Sequence, residues 1–131
     1  MRVVSIVGRF LEHARIFRFE NGGDPEVYLS SADWMSRNLD WRVEVAVPVE
    51  DPLLQEELRE VLELQLSDNV DAWEELADGS WLRRSPAAGE VARQSQATLQ
   101  ERAKRRAATP RAAKPAGEKR RAQPRRRGRP I

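Results

Sequence analysis

The sequence predicts an α/β (α+β) fold followed by a basic tail. Short apolar segments separated by turn residues occupy the first fifty positions and indicate strands, and an apolar stripe of helical period follows them. The charge then changes sign. Arg102 to Ile131 carry thirteen Lys or Arg and one acid, whereas the preceding residues carry ten basic and twenty acidic side chains. The net charge of +2 describes neither part, and 131 residues suffice for one small domain.

The N-terminal third is predicted to form strands. A short apolar run at Arg2–Val7 suits a buried strand. From His13 to Phe19 side chains alternate between two faces, and Val27–Ser31 has the composition of a returning strand. Between these two strands, residues 21–25 (NGGDP) combine residues that tolerate positive φ with a proline of fixed φ. The sequence therefore predicts a hairpin.

A strand and a helix are predicted next. Alternation is cleanest over Arg42–Val49, and Pro48 ends this strand or places it at a sheet edge, because proline has no N–H for the ladder. Asp51 is a good N-cap and Pro52 suits the first helical position. An apolar stripe opposite four glutamates predicts that this helix extends to about Leu66.

The remaining chain is predicted to change character after a second small hairpin at Trp73–Arg84. Residues 1–84 are expected to fold, and residues 85–108 to form a linker with a polar helix at Ser95–Ala108. Residues 109–131 consist almost wholly of Lys, Arg, Pro, Ala and Gly. Such a segment has little to bury, so we expect a disordered tail.

Composition excludes several classes. With no cysteine there is no disulfide framework, no thiolate nucleophile and no cysteine-ligated zinc. No apolar run approaches the roughly 18 residues of a membrane span, and the N-terminus lacks the pattern of a secretory signal. A cytoplasmic protein is expected.

His13 is the only histidine, so any imidazole chemistry of this chain must use it. On a strand its side chain projects beside that of Arg15, two residues on. An imidazole next to a guanidinium suits a phosphate, because the first exchanges a proton near neutral pH and the second forks onto phosphate oxygens. The alternative is a histidine that only packs at a sheet edge.

Ser30 to Asp33 is the second candidate site. The segment ends a strand, where hydroxyls and backbone N–H groups of Ser31 and its neighbours are expected to be free to meet an anion. The alternative, favoured by local sequence, is that Asp33 caps the following turn. The four tryptophans are interpreted as packing residues. They are Trp34, Trp41, Trp73 and Trp81.

These residues together resemble the C-terminal catalytic region of the long bacterial polyphosphate kinases. The resemblance is collinear from about Arg2 to Arg84 and is carried by three runs. They are residues 5–13 (SIVGRFLEH) with Arg15 and Ile16, residues 21–23 (NGG) with 27–35 (VYLSSADWM), and residues 37–40 (RNLD) with 42–44 (RVE).

The resemblance implies a fold similar to the phospholipase D superfamily and a reaction. Family members reversibly transfer the terminal phosphoryl group of ATP to inorganic polyphosphate, with Mg²⁺, through a covalent histidine in a preceding domain. The residue matching His13 is implied to be catalytic and to contact nucleotide phosphates, with Arg15, Ser31 and Asp33 also binding phosphate. Since a complete member is several times longer, the magnesium ligands and the covalent histidine are expected outside this chain, in upstream domains or a separate partner chain.

Four positions depart from the family pattern. Ala14 stands where serine is usual, Arg18 where an aromatic residue is usual, and Ser36 where proline is usual. Trp41 replaces an arginine beside the expected site and puts the local arrangement in question.

The tail has no counterpart in the resemblance. Residues 125–130 (RRRGRP) contain the Arg-Gly-Arg-Pro core of the AT-hook, which binds the minor groove of A·T-rich DNA. The simpler interpretation is a basic segment that binds any polyanion by counterion release. A non-catalytic protein that binds DNA, RNA or polyphosphate through this tail is therefore the alternative to the kinase function.

Overall fold

Two small antiparallel sheets and three helices make up residues 1 to 108, the part of the chain that the structure, a computed structural model, describes. The predicted disordered tail lies outside the described residues. The α/β class is confirmed. The first sheet contains β1 (Val4–Ile6), β5 (Ala72–Glu75) and β6 (Trp81–Arg83), in the order β1-β5-β6. The second contains β2 (Ile16–Phe19), β3 (Glu26–Ser30) and β4 (Ala46–Pro48), in that order.

The β2–β3 hairpin follows the prediction closely. Asn21–Gly23 forms a 3₁₀ turn with φ of 42° at Asn21, 67° at Gly22 and 105° at Gly23, which is the conformation that Asn and Gly tolerate. The register pairs Ile16 with Leu29. Strand β2 begins three residues later than expected, so His13 lies in the irregular segment before it.

Strand β4 is shorter than the alternation of Arg42–Val49 suggests. It pairs with β3 alone among the described strands, and Pro48 opposite Tyr28 lies on this edge strand, as predicted. Before it, the Val45 N–H donates to the side-chain Oγ of Ser31 at 3.0 Å and not to a strand carbonyl. The Ser31 side chain therefore replaces one of the two hydrogen bonds here, while the Ser31 N–H still donates to the Val45 carbonyl.

Helix α2 (Pro52–Leu66) confirms the predicted helix and its cap. Asp51 accepts a hydrogen bond from the Leu53 N–H at 2.8 Å, and Pro52 occupies the first position. Helix α1 (Ser36–Trp41) precedes β4 and has no side-chain cap; its N-cap residue is Met35. The interpretation of Asp33 as a helix cap is therefore wrong, because its carboxylate is used elsewhere.

Helix α3 (Ser95–Ala108) matches the predicted polar helix, and its start is tied to the turn after α2. The buried carboxylate of Asp68 accepts from the Ser95 N–H at 2.7 Å and from its hydroxyl at 2.8 Å, as well as from the Val70 and Asp71 N–H groups. Burial opposes ionisation of Asp68, but these hydrogen bonds prevail and hold its pKa below the usual range. Contacts therefore cross the expected boundary at Arg84.

The best-buried positions of the described chain are more often polar than apolar. Val27, Ala32 and Ala72 are buried, and so are Asn38, Asp68, Asn69, Ser95 and Gln96. Helix α2 packs near the face of the second sheet that carries Val27. The opposite face carries the aromatic pairs Phe17–Trp34 and Phe19–Tyr28, whose ring centroids are 5.9 and 6.1 Å apart.

The tryptophan interpretation is wrong for two of the four residues. Trp34 is 79% exposed and Trp41 is 85% exposed. Trp34 lies beside the sheet face that carries Phe17, and Trp41 lies at the end of the short helix α1. At both places the described residues provide no second layer to cover the side chain. Trp73 and Trp81, by contrast, lie in the β5–β6 hairpin, as expected.

Candidate functional site

Three of the predicted site residues form one hydrogen-bonded row. The Nε–H of Arg15 donates to Oδ1 of Asp33 at 2.7 Å, and its Nη2 lies 3.1 Å from Nε2 of His13. Arg15 is brought to Asp33 by the hairpin, in which the Ser30 N–H donates to the Arg15 carbonyl at 2.9 Å. The non-local pairing of β2 with β3 thus assembles residues that are eighteen positions apart.

The row fixes the tautomer of His13. A guanidinium nitrogen can only donate, so Nε2 of the imidazole must accept in this contact. In this contact the ring proton therefore lies on Nδ1. An Nδ1–H group remains as a donor on an exposed side chain. This geometry leaves His13 able to donate a hydrogen bond to an anion.

Electrostatics in the row favour the charged forms of both partners. The hydrogen bond from Arg15 holds the pKa of Asp33 below its usual range, and the charges of Arg15 and Arg37 lower it further. Arg37 lies 4.0 Å from Oδ2 of the same carboxylate. The pKa of Arg15 is raised in turn by the hydrogen bond to Asp33.

Ser31 belongs to a second, adjoining group. Its hydroxyl donates to Oε2 of Glu44, and Oε1 of Glu44 accepts from Nδ2 of the buried Asn38 at 2.8 Å. These two hydrogen bonds lower the pKa of Glu44, and the charges of Arg42 and Arg15 act in the same direction. The other amide atom, Oδ1 of Asn38, is buried and finds no hydrogen-bond partner among residues 1–108.

The backbone of this segment differs from the expected anion site. The Ser31 N–H donates to the Val45 carbonyl at 3.0 Å, and the Ala32 N–H donates to Oγ of Ser30, also at 3.0 Å. Neither group is free to meet an anion. The expectation was wrong because it treated the end of the strand as unpaired, whereas β4 and the Ser30 side chain pair it.

Sequence reasoning brought His13, Arg15 and Asp33 together but missed Glu44 and Asn38. Glu44 belongs to the polar face of the alternating segment Arg42–Val49, which was the available signal. Asn38 lies in the run 37–40 (RNLD) that carries the resemblance, but α1 has neither a cap nor an apolar stripe that would indicate a part for it in the site. Trp41 ends that helix and is exposed.

The described residues show neither a metal cluster nor a spanning helix. No group of three or more His, Asp or Glu side chains within residues 1–108 is arranged to hold a metal ion. Asp33 and Glu44 are both engaged by Arg15, Ser31 and Asn38. Among the helices of the same residues, none has the length and apolar character to cross a membrane.

Comparisons with known proteins agree on one family. The family model "Polyphosphate kinase C-terminal domain 2" matches residues 1–96. The chain is 57% identical over 102 residues to a polyphosphate kinase of Thermosynechococcus vestitus and 61% identical over 97 residues to one of Parasynechococcus marenigrum. These matches cover 78% and 74% of this chain, and 14% of each relative.

A solved structure shares the fold. The crystal structure of polyphosphate kinase from Porphyromonas gingivalis superimposes with a TM-score of 0.73 at 41% identity, covering 80% of this chain and 16% of that one. The chain therefore spans about a seventh of the length of the relatives that it matches. The family match over residues 1–96 favours the kinase interpretation over the alternative of a polyanion-binding protein. This chain belongs to the polyphosphate kinase family and corresponds to its C-terminal domain 2.

Proposed function

We propose that this chain supplies one wall of the active site of an ATP:polyphosphate phosphotransferase, with a fold like that of the phospholipase D superfamily. The observation that carries the proposal is the row His13–Arg15–Asp33. An imidazole that presents Nδ1–H, next to a guanidinium fixed by a carboxylate, fits the phosphate groups of ATP or of polyphosphate.

Each residue of the row has a distinct part. Asp33 accepts a hydrogen bond from Nε of Arg15, and this directional contact fixes the orientation of the guanidinium plane. Among the contacts of the described residues, Arg15 uses Nε and Nη2, which leaves Nη1 for phosphate oxygens. His13 donates Nδ1–H as a hydrogen bond to an oxygen of the moving phosphoryl group, and the Arg15 guanidinium offsets its charge. Ser31 supports the segment through Glu44.

The reaction needs a second histidine, which this chain does not contain. In the proposed scheme the bond between the terminal phosphorus of ATP and its bridging oxygen breaks as an N–P bond forms on a histidine of another segment. That N–P bond then breaks as a terminal oxygen of polyphosphate attacks the phosphorus. Covalent catalysis of this kind divides one difficult transfer into two steps. His13 assists both steps without carrying the phosphoryl group.

Magnesium is implied by the family, but the described residues do not fit it. The two carboxylates of the site are occupied by Arg15, Ser31 and Asn38 and do not form a cluster with a third ligand. The proposal therefore assigns no magnesium ligand to residues 1–108. No step of this chain's chemistry is routed through the metal.

The test is complementation in trans. The purified chain is incubated with labelled ATP and Mg²⁺, alone or with a polyphosphate kinase segment that supplies the upstream domains. We expect no labelled polyphosphate from the chain alone, because phosphoryl transfer depends on groups positioned around the phosphorus together. Activity is expected with both parts present, and its loss in His13→Ala.

Two outcomes would contradict the proposal. Polyphosphate synthesis by the chain alone would show that the second histidine is not needed. Activity in trans that survives His13→Ala would show that the row is not part of the site. Lys104→Ala, which changes an exposed cation paired with Glu101 of its own helix outside the row, is the control and should leave activity unchanged.

A further inference from the structure

The segment Gly8–Glu12 connects β1 to His13 without regular structure. Backbone hydrogen bonds anchor it at its two ends. The Val7 N–H donates to the Asp71 carbonyl at 2.9 Å, and the Arg15 carbonyl accepts from Ser30 at 2.9 Å. Between these anchors, side chains from other elements fix the path of the segment and therefore the position of the His13 backbone.

Gln96, in the first turn of α3, makes three of these contacts. Its Oε1 accepts from the Phe10 N–H at 2.9 Å, and its Nε2 donates to the Phe10 carbonyl at 2.7 Å and to Oε1 of Glu12 at 2.9 Å. One side-chain amide thus pairs with both backbone groups of Phe10, as a neighbouring strand would. Gln96 is buried, with 7% of its surface exposed.

Gly8 completes the fit. A Cβ placed on Gly8 would lie 2.6 Å from Oε1 and 2.9 Å from Cδ of Gln96. The far end of a glutamine normally swings away from such a clash, but here three hydrogen bonds and burial hold it. Glycine is therefore needed at position 8 because the Gln96 amide lies against the backbone.

Glu12, immediately before His13, is held on both carboxylate oxygens. Oε1 accepts from Gln96, and Oε2 accepts from Nε2 of Gln65 in α2 at 3.2 Å. Two amides from two helices thus fix the residue that precedes the catalytic candidate. A carboxylate that accepts from two separate side-chain amides, one of them on the buried Gln96, restrains the backbone at Glu12.

We propose that Gln96 is a positioning residue for His13, acting through Phe10, Glu12 and the close approach of Gly8. The inference rests on the proposed phosphate-binding role of His13 and extends it. Helix α3 then has a part in the site although it contacts neither Arg15 nor Asp33, since its first turn determines where the imidazole stands relative to the guanidinium.

The single histidine provides the readout. Imidazole ¹⁵N signals of the full chain report the tautomer and surroundings of His13 without overlap, and titration with inorganic tripolyphosphate reports its access to phosphate. In Gln96→Leu, which keeps the bulk but removes the hydrogen bonds, we expect the Nδ1–H tautomer to give way to a mixture. We also expect tripolyphosphate to bind about tenfold more weakly, because a loosened group loses part of its oriented contact.

Gln94→Leu is the matched control. It makes the same substitution two residues earlier, where the amide contacts Asp71 and not the segment Gly8–Glu12. Its imidazole signals should match those of the unchanged chain. Signals of Gln96→Leu that also match would overturn the proposal, whatever the effect of the substitution on stability.

A double-mutant cycle gives an independent test. Gly8→Ala alone should shift the His13 signals as Gln96→Ala does, because both remove the amide from Phe10. In the Gln96→Ala background, Gly8→Ala should add little, since the clash is gone. Additive effects would overturn the proposal. If tripolyphosphate does not change the His13 signals of the unchanged chain, the proposed function is contradicted. The positioning role of Gln96 is not affected by that result, because the double-mutant cycle measures the imidazole signals without phosphate.

Discussion

Arg15 joins the two chemical groups of the site and sets the state of both. Its Nη2 lies against Nε2 of His13, and its Nε hydrogen bond favours the ionised form of Asp33. The pKa of Asp33 is lowered in the folded chain, so the pair contributes stability above the unfolded pKa of about 3.9. That contribution is lost as the pH falls through the lower, folded pKa. Protonation of Asp33 in acid therefore removes the Arg15–Asp33 ion pair.

Removal of the guanidinium should reverse this shift. In Arg15→Met we expect the pKa of Asp33 to rise toward its ordinary value, since the largest cause of its depression is gone. Carboxyl ¹³C titration by NMR measures the change. Arg37→Met is the control and should have a smaller effect, because Arg37 lies 4.0 Å from the carboxylate and is more exposed. A larger shift in Arg37→Met would contradict the assignment of Arg15 as the main partner.

Helices α2 and α3 meet through charge more than through apolar contact. On α2, Arg59 pairs with Glu56 and Glu63 of its own helix. The remaining two glutamates reach across to α3, where Arg102 lies 2.7 Å from Glu60 and Arg106 lies 2.7 Å from Glu57. The acidic face of one helix is thus complemented by the basic face of the other. Exposed pairs of this kind are weak and sensitive to salt.

The second half of α3 should therefore detach in salt. We expect the double substitution Arg102→Ala with Arg106→Ala to raise amide exchange over residues 99–108 roughly two- to fivefold. About 0.5 M NaCl should produce the same change in the unchanged chain. Lys104→Ala is the control, because Lys104 pairs with Glu101 on its own helix. Equal amide exchange at low salt in the unchanged chain, the double variant and Lys104→Ala would show that the cross-helix pairs do not hold α3.

Local signals explain which elements were predictable. Helix α2 has a cap, an N-terminal proline and an apolar stripe, and both hairpins have turn residues suited to positive φ; each of these acts over a few neighbouring residues. The partner of Asp33 was not predictable from its neighbours, because Arg15 reaches it only through strand pairing. The tie between Asp68 and Ser95 is likewise non-local, and the sequence alone placed a linker there.

At the scale of the whole molecule, the described chain leaves much apolar surface uncovered. Phe19, Leu29, Val47 and Trp34 are all exposed, whereas the interior holds five polar residues beside three apolar ones. The chain matches only 14% of the length of the Thermosynechococcus vestitus relative. The sequence did not reveal the uncovered surface, because alternation shows which side chains share a face and not whether that face is covered.

The whole chain should also bind polyanions through its basic end. Thirteen cations from Arg102 onward predict binding of inorganic polyphosphate and duplex DNA that weakens steeply, and linearly on a log–log plot, with salt. Deletion of residues 102–131 should remove most of this binding, whereas His13→Ala should leave it unchanged. Unaltered affinity after the deletion would assign binding to residues 1–101. An AT-hook would add a preference for A·T-rich duplex at moderate salt.

Pro48 also bears on how copies of this protein behave when crowded. Residues 43–49 are mostly valine, the composition of segments that associate into cross-β aggregates. The outer edge of β4 exposes Ala46 and Val47 before the proline, which offers no N–H to an incoming strand. A ladder of two residues is far shorter than the usual five or six. Pro48 thus opposes the pairing of this exposed apolar edge with a strand of a second chain.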